Sequence, residues 1–147
     1  MRQRAGMTPE RRLDISRLVQ SSCRAMSVTR GENVTTERGE VEAVATEYFE
    51  SWFDGDGDRM GRILHPDLCK GRVGDRLAFT TREQMIEWTA AGEGVREGVD
   101  RSLDVVVFDV HGDIASVRVR SAVYSEYLHL VRTDEGWKIA NALFEQL

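Results

Sequence analysis

The last third of the chain is punctuated as two hairpins, and they follow a helix whose apolar face is almost unbroken. Asp104 to His111 and Ile114 to Tyr124 flank Gly112-Asp113, a two-residue turn of the kind that suits the twist of paired strands. Glu126 to Arg132 and Trp137 to Glu145 flank a second turn, Thr133-Asp134-Glu135-Gly136. Upstream, Val41, Val44, Ala45, Tyr48, Phe49, Trp52 and Phe53 recur with the spacing of one helical face. A helix over 36–54 would be about 28 Å long. Each element must bury one face against another. The pattern therefore predicts an α+β fold, a curved antiparallel sheet wrapped on helices and enclosing a pocket.

Between helix and hairpins the signals are shorter. Asp54-Gly55-Asp56-Gly57-Asp58 places carboxylates like a calcium loop. Such a loop needs glycine at its sixth position and glutamate at its twelfth, and the chain has Arg59 and His65 there. The stretch reads instead as a glycine stop, with Asp58 as the N-cap of a helix over 59–64 that Pro66 ends. Asp67 to Val73 reads as a short edge strand. Thr80-x-x-Glu83 reads as a capping box for a helix reaching Ala91, and Gly92 to Asp100 as a loop.

Composition removes several functions. The 147 residues suit one domain, and 41% hydrophobic with 31% charged residues suits a soluble globular chain. Residues 1–33 carry seven arginines against Glu10, Asp14 and Glu32, a net of +4. With −5 overall, the remainder carries −9, the wrong sign for a nucleic-acid partner. No apolar run approaches the roughly 18 residues of a membrane span. Cys23 and Cys69 make no disulfide framework and have no zinc spacing, and no phosphate loop or nucleophile motif is present. No cofactor or metal is expected, and a cytoplasmic location is. Residues 1–35 read as a separate basic extension, either an Arg-rich targeting stretch or a loose segment upstream of a second start at Met26. The domain proper is 36–147.

Strand parity sorts the hairpin residues. About Gly112-Asp113, Val110 pairs with Ala115, Phe108 with Val117 and Val106 with Val119, all on the core face. Asp109, Ser116, Arg118 and Arg120 take the other face, where unlike charges pair across strands. In the second hairpin Leu130 faces Ile139, Leu128 faces Asn141 and Glu126 faces Leu143. Glu126 and Asn141 then stand as polar groups on an apolar wall and need partners. Tyr127, His129 and Val131 go to the outer face.

Tyr48-Phe49-Glu50-Ser51-Trp52, Leu64-His65-Pro66-Asp67-Leu68, Glu126-Tyr127-Leu128-His129-Leu130 and Gly136-Trp137-Lys138-Ile139 occur in an order that resembles the putative lumazine-binding family, within the nuclear transport factor 2-like (SnoaL-like) superfamily. The resemblance covers about residues 38–146. It implies a cone-like fold with three helices in the concavity of a bent sheet, a pocket between them, and a homodimer through the sheet's outer face. Its relatives include ketosteroid isomerases, scytalone dehydratase, polyketide cyclases and non-enzymatic binding modules. The isomerases use a carboxylate base with a tyrosine donor, and the dehydratases use a histidine with a carboxylate. Glu126 stands where the family pattern more often has Asp.

Carried onto this chain, the resemblance implies a small apolar or aromatic ligand. Tyr48 and Trp52 on the long helix, Asp67 and Asn141 would contact it, with Glu126 as base and His65 or Tyr48 as acid. A carboxylate among apolar neighbours would have its pKa raised, which suits proton transfer near neutrality. Plainer readings stand beside these. Tyr48 and Trp52 have core spacing, His65 sits at a helix C-terminus, and Asp67 suits a local turn. The contrasting function is a non-enzymatic interaction module, dimeric, with a pocket filled by its own side chains.

Overall fold

The computed structural model describes residues 36–147, and the readings made for residues 1–35 lie outside them. Helix α1 is described over 36–54. Its apolar stripe buries Val41, Ala45, Tyr48, Phe49 and Phe53, with Val44 and Trp52 packed at the margin. Asp56, not Asp58, caps α2 (Gly57–Ile63) by accepting from the Arg59 backbone N–H. Arg59 also reaches back to Glu47 and Asp54 of α1 at 2.7 and 2.6 Å, which fixes the angle between the two helices.

Strand β1 (Leu64–Arg72) follows α2 without a loop. Strand β2 (Ala78–Thr80) was not expected from the sequence. It leads into α3 (Arg82–Ala90), whose capping box is Thr81 with Gln84, one residue later than the pattern suggested. The hairpin strands are β3 (Asp104–His111), β4 (Ile114–Arg120), β5 (Tyr124–Thr133) and β6 (Gly136–Gln146). Gly112 and Gly136 hold the turns at φ +56° and +98°, where a side chain would be strained.

The six strands form one sheet in the order β2-β1-β6-β5-β4-β3. All neighbours are antiparallel except β1 and β6, which run parallel, so β1 is interior and not an edge. The sheet's concave face supplies Leu64, Val117, Val119, Leu128, Leu130 and Ile139 to a core shared with α1, Met60 of α2 and Met85 of α3. The helices and mixed sheet make the expected α+β cone. At the β3 edge, Arg38 donates to the Val107 carbonyl at 2.9 Å, covering a group that would otherwise invite another strand.

Three irregularities bend the sheet and shift its register. Between β3 and β4 the pairing slips at Phe108, so Val107 and Val105, not Phe108 and Val106, face Val117 and Val119. Phe108 is thereby turned outward and stacks on Tyr127, centroids 6.3 Å apart. Between β5 and β6 the slip falls after Leu130↔Ile139, leaving Ala140 without an opposite residue. Beyond it Leu128 faces Ala142 and Glu126 faces Phe144. Between β1 and β6, residues 65–68 span the same irregularity. The first two add one residue to one strand, Phe108 and Ala140, and the third sets four β1 residues against Ala140; each bends its strand and exchanges the faces beyond it. Gly94 lies against Trp52, where a Cβ would meet the Trp52 carbonyl at 2.4 Å and its ring at 2.5 Å. Only glycine lets that loop close on the α1 tryptophan.

Candidate functional site

The concave face leaves a cavity of about 310 Å³ between α1, α3 and the β2-β1-β6-β5 part of the sheet, within the usual range for small-molecule sites. Its walls are mainly apolar, with Phe49 and Trp52 from α1, Met85 and Trp88 from α3, and Phe144 from β6. Trp52 donates through its indole N–H to the Tyr124 hydroxyl at 3.3 Å, closing one side.

Three polar side chains meet on the wall of this cavity. Glu126 of β5 lies in the buried alternation Tyr124, Glu126, Leu128, Leu130 and is 2% exposed. The Tyr48 hydroxyl donates to Glu126 Oε1 at 2.8 Å. Lys70, two residues beyond Leu68 on β1 and 7% exposed, brings its ammonium to the same oxygen at 3.2 Å. Lys70 also donates to the Tyr48 hydroxyl. The ammonium lies 4.4 Å from the Phe144 ring centroid, close enough for that ring to attract it. Both protein contacts fall on Oε1, and no described residue donates to Oε2. Burial, followed by the negative charge of Glu126 and the hydrogen bond to it, pushes the Tyr48 phenol well above its usual range. Tyr48 is therefore a neutral donor whose one proton is committed to Glu126.

Chemically, the wall presents a paired charge and not a lone carboxylate. A buried charge without a partner is strongly unfavourable. Lys70 supplies that partner, and of its three N–H groups one remains beyond those directed at Tyr48 and Glu126. An acceptor on Oε2 and a donor on Lys70 thus stand together against an apolar wall.

Glu126, Tyr48 and Trp52 come together in this cavity. His65, Asp67 and Asn141 do not, which corrects their expected placement. His65 and Asp67 sit in the β1 irregularity, where the Asp67 backbone N–H donates to His65 Nδ1 at 3.0 Å. Asn141 follows the unpaired Ala140, so it faces outward and Ala142 takes the inner position. Its amide donates to the Cys69 carbonyl at 3.1 Å and its oxygen meets His129 Nδ1 at 3.2 Å. His129 is on the outer face, as parity predicts.

Lys70 was missed. Lys70 follows Leu68 on the inward side, but Arg72 comes next on that side, so no apolar alternation marks it as Glu126 is marked between Tyr124 and Leu128. Among the described residues no group of His, Cys, Asp and Glu is arranged to hold a metal ion. No helix among them is long and apolar enough to cross a membrane.

Removing the Tyr48 hydroxyl should leave Glu126 with Lys70 alone. Tyr48→Phe should cost about 1–3 kcal/mol, the range for losing a buried hydrogen bond to a charged group, measured by urea unfolding near pH 7. The native state keeps the Tyr48 proton past the unfolded value of about 10. The resulting stability is fully present below pH 10 and erodes as pH climbs above it toward the folded value. Tyr48→Phe should remove that part of the alkaline loss, read as a shallower fall in stability above pH 10.

Comparison with known proteins agrees with this architecture. A nuclear transport factor 2-like protein of unknown function from Silicibacter pomeroyi superposes with a TM-score of 0.65 at 16% identity, covering 78% of this chain and 98% of that one. A similar protein with a cystatin-like fold from Novosphingobium aromaticivorans gives 0.63 at 16% identity, with 83% and 89% covered. A ketosteroid isomerase-like protein from Erwinia carotovora atroseptica gives 0.53 at 19% identity, with 74% and 95% covered. At these identities the likeness is one of fold. No curated protein matches the sequence. Residues 36–145 match the family described as Putative lumazine-binding, and the chain belongs to that family, on a nuclear transport factor 2-like fold.

Proposed function

We propose that this chain binds a small, mainly apolar or aromatic molecule in the cavity, with the polar end of that molecule held between Glu126 and Lys70. The observation that carries this reading is the Tyr48–Glu126–Lys70 group, buried yet opening onto an apolar space. A self-filled pocket, as a pure interaction module would have, is disfavoured by the cavity of about 310 Å³. The family's name favours a small-molecule ligand but leaves its identity open. A cytoplasmic location, inferred from cysteine usage, belongs to the same proposal.

The group is also suited to proton transfer. A C–H bond next to a carbonyl would break with its proton passing to Glu126 Oε2. The electron pair moves onto the carbonyl oxygen, where the Lys70 ammonium offsets the charge. Returning the proton to a different carbon completes an isomerisation with no other reactant. The ketosteroid isomerase-like relative makes this chemistry a natural one to test. Tyr48 would act as a positioning residue, since its own proton is spent on Glu126.

Native mass spectrometry of the freshly purified full-length protein tests the binding. A retained small molecule is expected on the wild type, with clearly lower occupancy on Glu126→Gln. An empty wild-type protein, or equal occupancy on both, would contradict the proposal.

The same proposal includes a homodimer through the convex face. Phe79, Gly71, Leu143 and Tyr127 lie in one cross-strand row. Phe79, Leu143 and Tyr127 are 64%, 42% and 47% exposed, and Phe108 and Leu77 extend the patch. Gly71 keeps the row close-packed, since a Cβ would meet the Leu143 and Leu77 methyls at 3.0 and 3.2 Å. A contiguous apolar stripe of this kind marks an interaction surface, and a two-fold axis would set it against its own copy. Sedimentation velocity should show a wild-type dimer that Tyr127→Glu converts to a monomer with unchanged circular dichroism. A wild-type monomer would contradict the interface.

A further inference from the structure

The cavity carries a second polar feature, at its mouth, that the Tyr48–Glu126–Lys70 group does not use. Arg72 follows Lys70 by two positions on β1, so both point to the concave side, spaced by roughly 6.6 Å along the strand. Arg96, in the segment after α3, lines the same cavity from the opposite wall. Elsewhere in the domain Arg59, Arg82, Arg101, Arg118 and Arg132 each form an ion pair with a carboxylate. Arg72 and Arg96 form none with any described carboxylate. The one polar contact of the Arg72 guanidinium is a long one, 3.5 Å to Gln146 Oε1.

The charge in the cavity is therefore lopsided by depth. Deep inside, Lys70 and Glu126 neutralise each other at 3.2 Å. At the mouth, two guanidiniums face one carboxylate, Glu93. Between the two levels the wall is aromatic, with Phe144 beside Arg72 in register on β6 and Trp88 on α3. The domain as a whole is acidic, so a net positive mouth goes against the background and would concentrate anions locally. Guanidinium forks pair with anionic oxygens through two parallel hydrogen bonds.

From this juxtaposition we infer that the ligand is an apolar aromatic molecule bearing an anionic oxygen group at the end nearest the mouth, held by Arg72 and Arg96. The inference rests on the cavity being the binding site and adds the ligand's charge and its orientation. The anionic end stays at the arginines, the ring system lies against Phe144 and Trp88, and the far end reaches Lys70 and Glu126. Arg72 and Arg96 are then specificity-determining residues that touch the ligand away from any reacting atoms.

Two fluorophores with the same aromatic body separate charge from shape: 1-anilinonaphthalene-8-sulfonate and neutral N-phenyl-1-naphthylamine. Fluorescence titration of the full chain should show the sulfonate binding tighter by roughly fivefold or more, the effect of one charge-assisted contact. Arg72→Gln/Arg96→Gln should erase that preference while leaving binding of the neutral amine unchanged. Arg120→Gln, on the convex face, should alter neither. Equal affinities in the wild type, or a preference that survives the double substitution, would overturn the inference. In that case amine binding weakened by Ala78→Trp, at the cavity wall, would keep the cavity itself as the site. If neither probe binds, both the inference and the cavity reading fail.

Discussion

A buried carboxylate is tolerated here because an ammonium and a phenol reach the same oxygen atom. Glu126 comes from β5, Lys70 from β1 and Tyr48 from α1, and these elements are not adjacent in sequence. β6 separates the two strands in the sheet. The contacts at 2.8 and 3.2 Å therefore fix the long helix against two different parts of the sheet at once. A hydrophobic contact there would tolerate sliding. A paired charge at low exposure does not, because a small displacement leaves a charge without its partner. Depth, polarity and orientation of the cavity all follow from that one junction.

The bulges decide which residues reach it. An ideal antiparallel ladder from Leu130↔Ile139 would send Asn141 inward and Ala142 outward. The unpaired Ala140 reverses this, so an amide that would have needed a buried partner instead bridges Cys69 and His129 on the outside. The same exchange brings Phe144 opposite Glu126, giving the Lys70 ammonium its nearest aromatic face. At the other edge, the slip at Phe108 turns an aromatic residue outward onto Tyr127. The irregularities thus build the cavity wall and the convex apolar row together.

What could be read from the chain follows from which forces are local. The α1 stripe and the Gly112 turn are written in periodicity and turn chemistry and appear where the residues place them, whereas the strand expected over Ile114 to Tyr124 ends at Arg120, Tyr124 opens β5, and Thr133 and Gly136 pair about a shorter turn. Glu126 was legible because it interrupts an alternation. Lys70 has no such mark, since Arg72 follows it on the same face and its strand has the look of a peripheral edge, where a lysine is unremarked. Its interior position depends on the parallel pairing of β1 with β6, a contact more than sixty residues apart in sequence. His65, Asp67 and Asn141 were misplaced for a related reason. A bulge leaves no composition mark in this chain, since Ala140 is an ordinary strand residue and Pro66 suits a helix end as well as an interrupted strand. Side chains beyond each slip can be assigned a face only when the partner strand is known.

The account stands on Glu126 and Lys70 acting as one buried ion pair, and a double-mutant cycle measures that directly. Urea unfolding of wild type, Lys70→Met, Glu126→Gln and the double variant gives the coupling. Lys70→Met alone should destabilise by about 3–5 kcal/mol, because it strands the Glu126 charge, and adding Glu126→Gln should recover at least half of the loss. Additive effects, with the double variant as unstable as the sum of the two singles, would contradict a coupled pair and with it the proposed organisation of the site.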